Sequence, residues 1–162
     1  MSIARNIVAT YRGPGKVMSV LLAMGQREDR ALAYLMGACA LMFVAQLPRL
    51  ARQAHITGED LNMLLGASLM ALVFIAPLLF YVLAWLSHLI ARLIGGRGSF
   101  YAARMALFWA LLAASPLILL HGLVAGFIGT GPQLSLVGFL WFAAFMWFWV
   151  SGLWRAEQGV PS

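Results

Sequence analysis

The sequence predicts an all-α integral membrane protein, with four transmembrane helices and an N-terminal amphipathic interfacial segment. Hydrophobic residues make up 63% of the 162 residues, whereas soluble globular domains contain roughly 45–50%. Charged residues make up only 10%, against about 25% in soluble domains. The third observation is a set of long charge-free stretches, because a helix needs about 20 mostly apolar residues to cross a bilayer. This composition excludes a disordered chain, a disulfide scaffold and a solvated enzyme domain.

Charged residues and one turn cluster delimit the predicted spans. The charge-free stretches cover 31–48, 61–91 and 105–154. The last is too long for one span, and the Gly-Thr-Gly-Pro-Gln cluster at 129–133 divides it. A single membrane domain, 1–162, is therefore predicted to contain four spans: 31–48, 61–86, 101–122 and 133–153.

Prolines and polar residues shape the predicted helices. Pro77 falls near the middle of span two and Pro116 lies within span three, and each is expected to kink its helix because proline removes a helical hydrogen bond. Residues 57–60, Thr-Gly-Glu-Asp, resemble a capping box before span two. Ser99 is expected to cap span three, because its hydroxyl can accept from a free backbone N–H.

Residues 1–27 form a different kind of segment. Apolar residues share one helical face in each half of it: Ile3, Ile7, Val8 and Tyr11, then Val17, Val20, Leu21 and Met24. Gly13-Pro14-Gly15 breaks the helix between the halves, and each half is too short to span a bilayer. We predict a pair of interfacial helices lying on the membrane. Docking of this pair on a partner protein is the alternative.

Basic residues are distributed unevenly between the two ends of the predicted bundle. Nine of the eleven lie on one side: Arg5, Arg12, Lys16, Arg27, Arg30, Arg92, Arg97, Arg104 and Arg155. The positive-inside rule then places both termini in the cytoplasm, and a bacterial inner membrane is the expected location. Lipid headgroups are the expected ligands of Arg5, Arg12, Lys16, Arg92 and Arg97. No basic stripe with interleaved aromatic residues is present, so no nucleic-acid partner is expected.

Titratable residues form no catalytic or metal-binding pattern in the sequence. His88 and His121 are expected near opposite ends of the bundle, which excludes a shared haem, whereas His55 and His121 fall on the same side and could meet. No carboxylate accompanies them at ligand spacing, and Cys39 is the only cysteine. No ionisable residue lies within a span core, which argues against a proton-coupled transporter. We expect a non-enzymatic protein with no metal and no cofactor.

Small residues recur at helical spacing in the second half of the chain. Four alanines repeat along span three and a GxxxG follows: Ala102, Ala106, Ala110 and Ala114, then Gly122 and Gly126. Such residues let helix backbones approach closely. Packing within the bundle is the first interpretation, and a docking face for a partner or a second copy is the other. Span four is rich in Phe and Trp, which lipid, a pigment or a partner could contact.

One stretch resembles a known family. Residues 86–100 read Leu-Ser-His-Leu-Ile-Ala-Arg-Leu-Ile-Gly-Gly-Arg-Gly-Ser-Phe, and 114–117 read Ala-Ser-Pro-Leu. This resembles the bacterial branch of the Yip (Ypt-interacting-protein-like) family, in which a short glycine-rich basic turn joins two spans and a proline follows in the next. The resemblance covers about residues 85–120 and rests on Gly95, Gly96, Arg97, Gly98, Ser99 and Pro116. It implies a fold more than an activity, because bacterial members are largely without an assigned function. The family usually has five spans, whereas four are counted here, and the eukaryotic Asp-Leu-Tyr-Gly-Pro motif is absent.

These observations favour an accessory or assembly subunit of a larger membrane complex, or a membrane organiser. Its partners would be membrane lipids and either another membrane protein or further copies of itself. A small transporter or lipid translocator is the alternative, with Gln46, Ser68, Ser87 and Ser115 lining a path opened by the prolines. A subunit that binds haem or quinone for electron transfer is the third possibility.

Overall fold

The computed structural model describes residues 3–24, 28–96 and 98–157, and these residues contain helices and turns but no strand. The helices are α1 (Ile3–Thr10), α2 (Pro14–Ala23), α3 (Glu28–Thr57), α4 (Leu61–Met70), α5 (Ala76–Leu93), α6 (Phe100–Ala113), α7 (Ser115–Phe127) and α8 (Pro132–Glu157). A π-helical turn, Ala71–Ile75, joins α4 to α5.

Several of these helices are long and apolar enough to cross a membrane. They are α3, the continuous run Leu61–Leu93 and the stretch Pro132–Ala156 of α8. The pair α6 and α7 passes the same test together, with a bend of 43° between the two helices. The described residues therefore contain three helices that are long and apolar enough to span a membrane, or four such spans if the bent pair counts as one. The predicted all-α fold is confirmed, with three or four helices of spanning length.

The helices extend beyond the predicted span boundaries. α3 continues through Pro48 to Thr57, although span one was predicted to end at 48. The second run ends at Leu93 rather than 86, and α7 ends at Phe127 rather than 122. The extension of α3 is polar, so a count of charge-free residues does not detect it. The extension of α7 is apolar and lies within the charge-free stretch 105–154.

α6 is the core of the bundle. Every residue from Tyr101 to Ala113 is buried except Arg104. Helices α3, α5 and α8 pack around α6, and both N-terminal helices contact it as well. Trp109 and Phe108, two of the largest fully buried side chains, meet Tyr34 of α3 and Tyr81 of α5 edge-on, with both ring centroid distances at 5.0 Å.

α7 lies directly against the backbone of α3. A Cβ added at Gly122 would overlap the Ala45 carbonyl, whose carbon lies 2.7 Å from that position. A Cβ at Gly126 would lie 2.6 Å from the carbonyl carbon of Pro48. The GxxxG pair is thus used inside this chain, where the absence of side chains lets two helices approach closely.

The two prolines have different effects. Pro77 lies in the first turn of α5, directly after the π-helical turn, and the run Leu61–Leu93 remains one span. Pro116 has no N–H, and the N–H of Leu117 bonds to the Ala114 carbonyl at 3.1 Å. The Ala113 carbonyl, which Leu117 would engage in a regular helix, therefore loses that donor. The kink predicted in span three is confirmed by the bend at this point.

Candidate functional site: the N-terminal helical hairpin

Helices α1 and α2 form a hairpin that packs into the bundle. Its turn is closed by hydrogen bonds from the backbone N–H groups of Arg12 and Gly13 to the Ala9 carbonyl, at 3.0 and 2.9 Å. The Tyr11 ring meets Phe148 of α8 edge-on, with 4.8 Å between centroids. Two short helices with a break at Gly13 were predicted, but as a pair lying on the membrane surface. The structure packs this pair against α6 and α8, and its position on the membrane surface stays a prediction.

Thr10 and Tyr11 anchor the hairpin to the core helix. The Trp109 indole Nε1–H donates to Thr10 Oγ1 at 3.0 Å, and that hydroxyl donates to the Asn6 carbonyl at 2.7 Å. The Tyr11 hydroxyl donates to the Ala113 carbonyl at 2.7 Å. Thr10 has no solvent exposure. Because unpaired polar groups are costly in an apolar interior, these bonds tie the hairpin to one position on α6.

Tyr11 supplies the donor that the helix break removes. Pro116 and the tight turn at Ala114 leave the Ala113 carbonyl without its helical N–H, and the Tyr11 hydroxyl occupies that place. Burial raises the pKa of Tyr11 above its ordinary value of 10.0, so the hydroxyl keeps the proton that it donates. A non-helical carbonyl at this depth is tolerated only where the protein satisfies it.

The variant Tyr11→Phe is expected to loosen the hairpin, because the Ala113 carbonyl would remain buried without a donor. The loss in unfolding free energy should be about 1–3 kcal/mol. Thermal unfolding in detergent, followed by the fluorescence of Trp109 and its neighbours, measures it. Tyr81→Phe is the matched control, since no described hydrogen bond of Tyr81 joins two helices. Equal stability of the two variants would contradict the anchoring role.

A groove with basic walls separates α1 from α2. Its volume is about 630 Å³. The lining residues are Ala4, Arg5, Val8, Ala9, Arg12, Gly13, Lys16 and Val17. Three of the five residues predicted to bind lipid headgroups, Arg5, Arg12 and Lys16, therefore line one groove. Arg92 lies apart from them, exposed in the last turn of α5, and Arg97 lies outside the described residues.

An ion pair fixes α3 to α6 at the same end of the bundle. Arg104 binds the carboxylate of Glu28 with both terminal nitrogens, and one of these contacts measures 2.7 Å. The guanidinium also lies over the Phe100 ring, 4.4 Å from its centroid. The Arg104 side chain is 14% exposed and that of Glu28 is 49% exposed. This bidentate geometry favours a persistent contact over a fluctuating surface pair.

The glycine-rich turn has the geometry that its sequence predicted. The Gly96 N–H bonds to the Ala91 carbonyl at 2.7 Å, and the Gly95 N–H bonds to that of Arg92 at 3.2 Å. Gly95 has φ +97°, a backbone conformation that favours glycine. Gly98 is buried, and the Ser99 hydroxyl accepts from the Ala102 N–H at 3.1 Å, which confirms the predicted cap. Pro116 lies in the first turn of α7.

The alanine stripe lies inside the chain rather than on its surface. Ala102, Ala106, Ala110 and Ala114 are each 0–1% exposed. A docking face on span three, expected as an alternative, is therefore not available at these positions, because the chain's own helices surround α6. The same close packing holds α8, where a Cβ added at Gly152 would lie 3.4 Å from the Cβ of Ala106.

The histidines do not converge on one site, and two of the four polar residues considered for a transport path, Gln46 and Ser87, are hydrogen-bonded within their own helices. His88 lies edge-on to Phe100, whereas His121 lies beside Gly138 of α8. Gly122 is level with Ala45, and His55 follows Ala45 by ten residues, about 15 Å along α3, so His55 and His121 do not meet. Within the described parts of the chain, no three His, Cys, Asp or Glu residues are placed to hold a metal. The Ser87 hydroxyl bonds back to the Ala84 carbonyl at 2.8 Å.

The aromatic residues of α8 form a ladder on its inner side. Trp141, Phe145 and Trp149 stack in sequence, with 5.6 Å between successive ring centroids. Phe139 and Phe142 are exposed on the outer side. The aromatic residues of α8 thus form one face that packs inside the bundle and one face that is exposed on its outside.

The class that the structure defines is an all-helical bundle in which three or four helices are long and apolar enough to span a membrane. No family model matches its sequence, and no curated protein or solved structure matches it either. The resemblance to the bacterial Yip family therefore stays a prediction based on the glycine-rich turn and Pro116.

Proposed function

We propose that this chain is a non-enzymatic accessory subunit that docks on another membrane protein through the outer face of α4 and the π-helical turn. The proposed setting is a bacterial inner membrane with both termini in the cytoplasm, in accord with the distribution of basic residues. Membership of the Yip family is part of the same proposal and rests on the turn at 95–99.

The observation that supports this function is the sparse coverage of the run Leu61–Leu93. Only 11% of its most apolar stretch is buried, compared with 33% for α3 and 22% for α8. α4 and the π-helical turn contain no buried residue. A long apolar helix at the edge of the bundle leaves most of its surface to lipid or to a partner.

The chemistry of this face favours a protein partner over lipid alone. Residues at helical spacing on one side of it are all exposed: Met63, Gly66, Ala67, Met70 and Phe74. Nothing lies within 4 Å of a Cβ added at Gly66, so the glycine is not required by packing within this chain. Small residues in a membrane helix permit close approach of another helix, and methionine adapts its shape to a partner.

A photoreactive amino acid placed at Ala67 tests the docking face in native membranes. We expect one discrete cross-linked protein from Ala67 and none from Ala143, an exposed alanine on α8 that serves as the control. An adduct containing a second copy of the chain would identify a homo-oligomer as the partner. Gly66→Leu should remove the adduct at unchanged thermal stability, because the added side chain meets open space.

Two results would overturn this proposal. One is identical labelling from Ala67 and Ala143, as expected when both face only lipid. The other is an Ala67 adduct that persists unchanged in Gly66→Leu.

A further inference from the structure

The groove between α1 and α2 combines basic walls with an apolar floor. Arg12 and Lys16 are exposed at its edge, and Arg5 lies on the α1 side. The floor is formed by Val8, Ala9 and Val17. Among the described residues that line it, none is acidic. The lining is therefore suited to an anionic ligand with apolar parts.

The position of the groove relative to the end of the bundle narrows the kind of ligand. Tyr11, the residue before Arg12, bonds to Ala113, which follows Arg104 by nine residues, about 14 Å along α6. Tyr11 also packs on Phe148, which precedes Arg155 by seven residues, about 10 Å along α8. The turn thus lies inside the level of Arg104, whereas the start of α2 lies beside Arg155: a Cβ added at Gly15 would be 3.0 Å from Arg155 Nε, and Arg155 donates to Ser19 Oγ at 3.4 Å. Lys16, the residue after Gly15, therefore lies at the end of the bundle marked by Arg155.

The cations at this end of the bundle attract anions. A lipid phosphate at the membrane surface stabilises exposed basic side chains that reach it. Long basic side chains extend toward lipid headgroups. A phosphate that enters the groove would therefore contact both Arg12 and Lys16. The volume of about 630 Å³ has room for a headgroup and the start of its acyl chains.

We propose that this groove binds the headgroup of one anionic phospholipid, with its phosphate at Arg12 and Lys16 and its chains along Val8 and Val17. The apolar floor beside the basic side chains favours a lipid over a soluble phosphate compound. The site is independent of the docking face on α4, which lies on a different helix. The proposal assigns one bound lipid to the hairpin, which differs from a general attraction of the hairpin to a negatively charged membrane surface.

Native mass spectrometry of the full chain in detergent tests the site, with dioleoylphosphatidylglycerol as the probe and dioleoylphosphatidylcholine as the uncharged reference. We expect one phosphatidylglycerol to bind at lower concentration than all later ones. Arg12→Gln and Lys16→Gln should each weaken this first binding roughly fivefold, the effect of removing one cation near a lipid phosphate. Arg49→Gln, an exposed arginine on α3 far from the groove, should leave it unchanged.

Three results would overturn the proposal. The first is equal first-site affinity for the two lipids. The second is unchanged phosphatidylglycerol binding in both groove variants, provided that each variant unfolds at the same temperature as the unmodified chain. The third is displacement of the lipid by inorganic phosphate at equal concentration, which would show that the apolar floor contributes nothing.

Discussion

Replacing Gly122 or Gly126 by alanine is expected to separate α7 from α3 and to destabilise the protein strongly. A methyl group at Gly122 would overlap the Ala45 carbonyl, and one at Gly126 would overlap Pro48. Neither obstacle is the end of a flexible side chain, so the helices themselves must move apart. Overpacking of a well-packed core typically lowers the unfolding free energy by about 1–3 kcal/mol. Because the added methyl group meets backbone, we expect each variant to lose an amount at or above the upper end of this range.

Thermal unfolding in detergent and limited proteolysis measure this effect. Gly66→Ala is the matched control, since it adds the same methyl group to a helical glycine with nothing within 4 Å. We expect a clearly lowered unfolding temperature for the first two variants and no decrease for the control. An equal decrease in unfolding temperature for all three variants would show that the close approach of the α3 and α7 backbones does not determine stability.

The second large effect is expected for Ala110→Leu. Ala110 is fully buried in the core helix, so three additional carbons would force neighbouring helices apart. We expect loss of folded monomer, seen as aggregation on size-exclusion chromatography and a lowered unfolding temperature. The exposed Ala143 provides the control: Ala143→Leu should be neutral. A stable Ala110→Leu monomer that only fails to associate would instead place the alanine stripe at an interface between chains.

The spans were predictable because their limits depend on local composition. Arg30, Asp60 and Arg104 mark where apolar stretches begin or end, and Ser99 caps α6 as its position suggests. The continuation of α3 beyond Pro48 was not predictable in the same way. Its last turns are polar, and they are positioned by contacts with α7, where Arg52 donates to the Gly126 carbonyl at 3.3 Å. Hydropathy does not report such contacts.

The anchors of the hairpin escaped prediction for a related reason. Thr10 and Trp109 are separated by 99 positions, and Tyr11 and Ala113 by 102. A local signal was nevertheless present, since Thr10 and Tyr11 carry hydroxyl groups at the end of α1, with only Arg12 between them and Gly-Pro-Gly. The partner of Tyr11 depends on the break at Pro116, which was predicted as a kink but not as a source of an unpaired carbonyl.

The contacts of the hairpin also constrain the order in which the chain is assembled during synthesis. Tyr11 precedes Phe148 by 137 residues and packs against it. Translation proceeds from the N-terminus, so the contact between the hairpin and α8 forms only after α8 has been synthesised. The hairpin is able to meet α6 earlier, but its packing is complete only once α8 is in place.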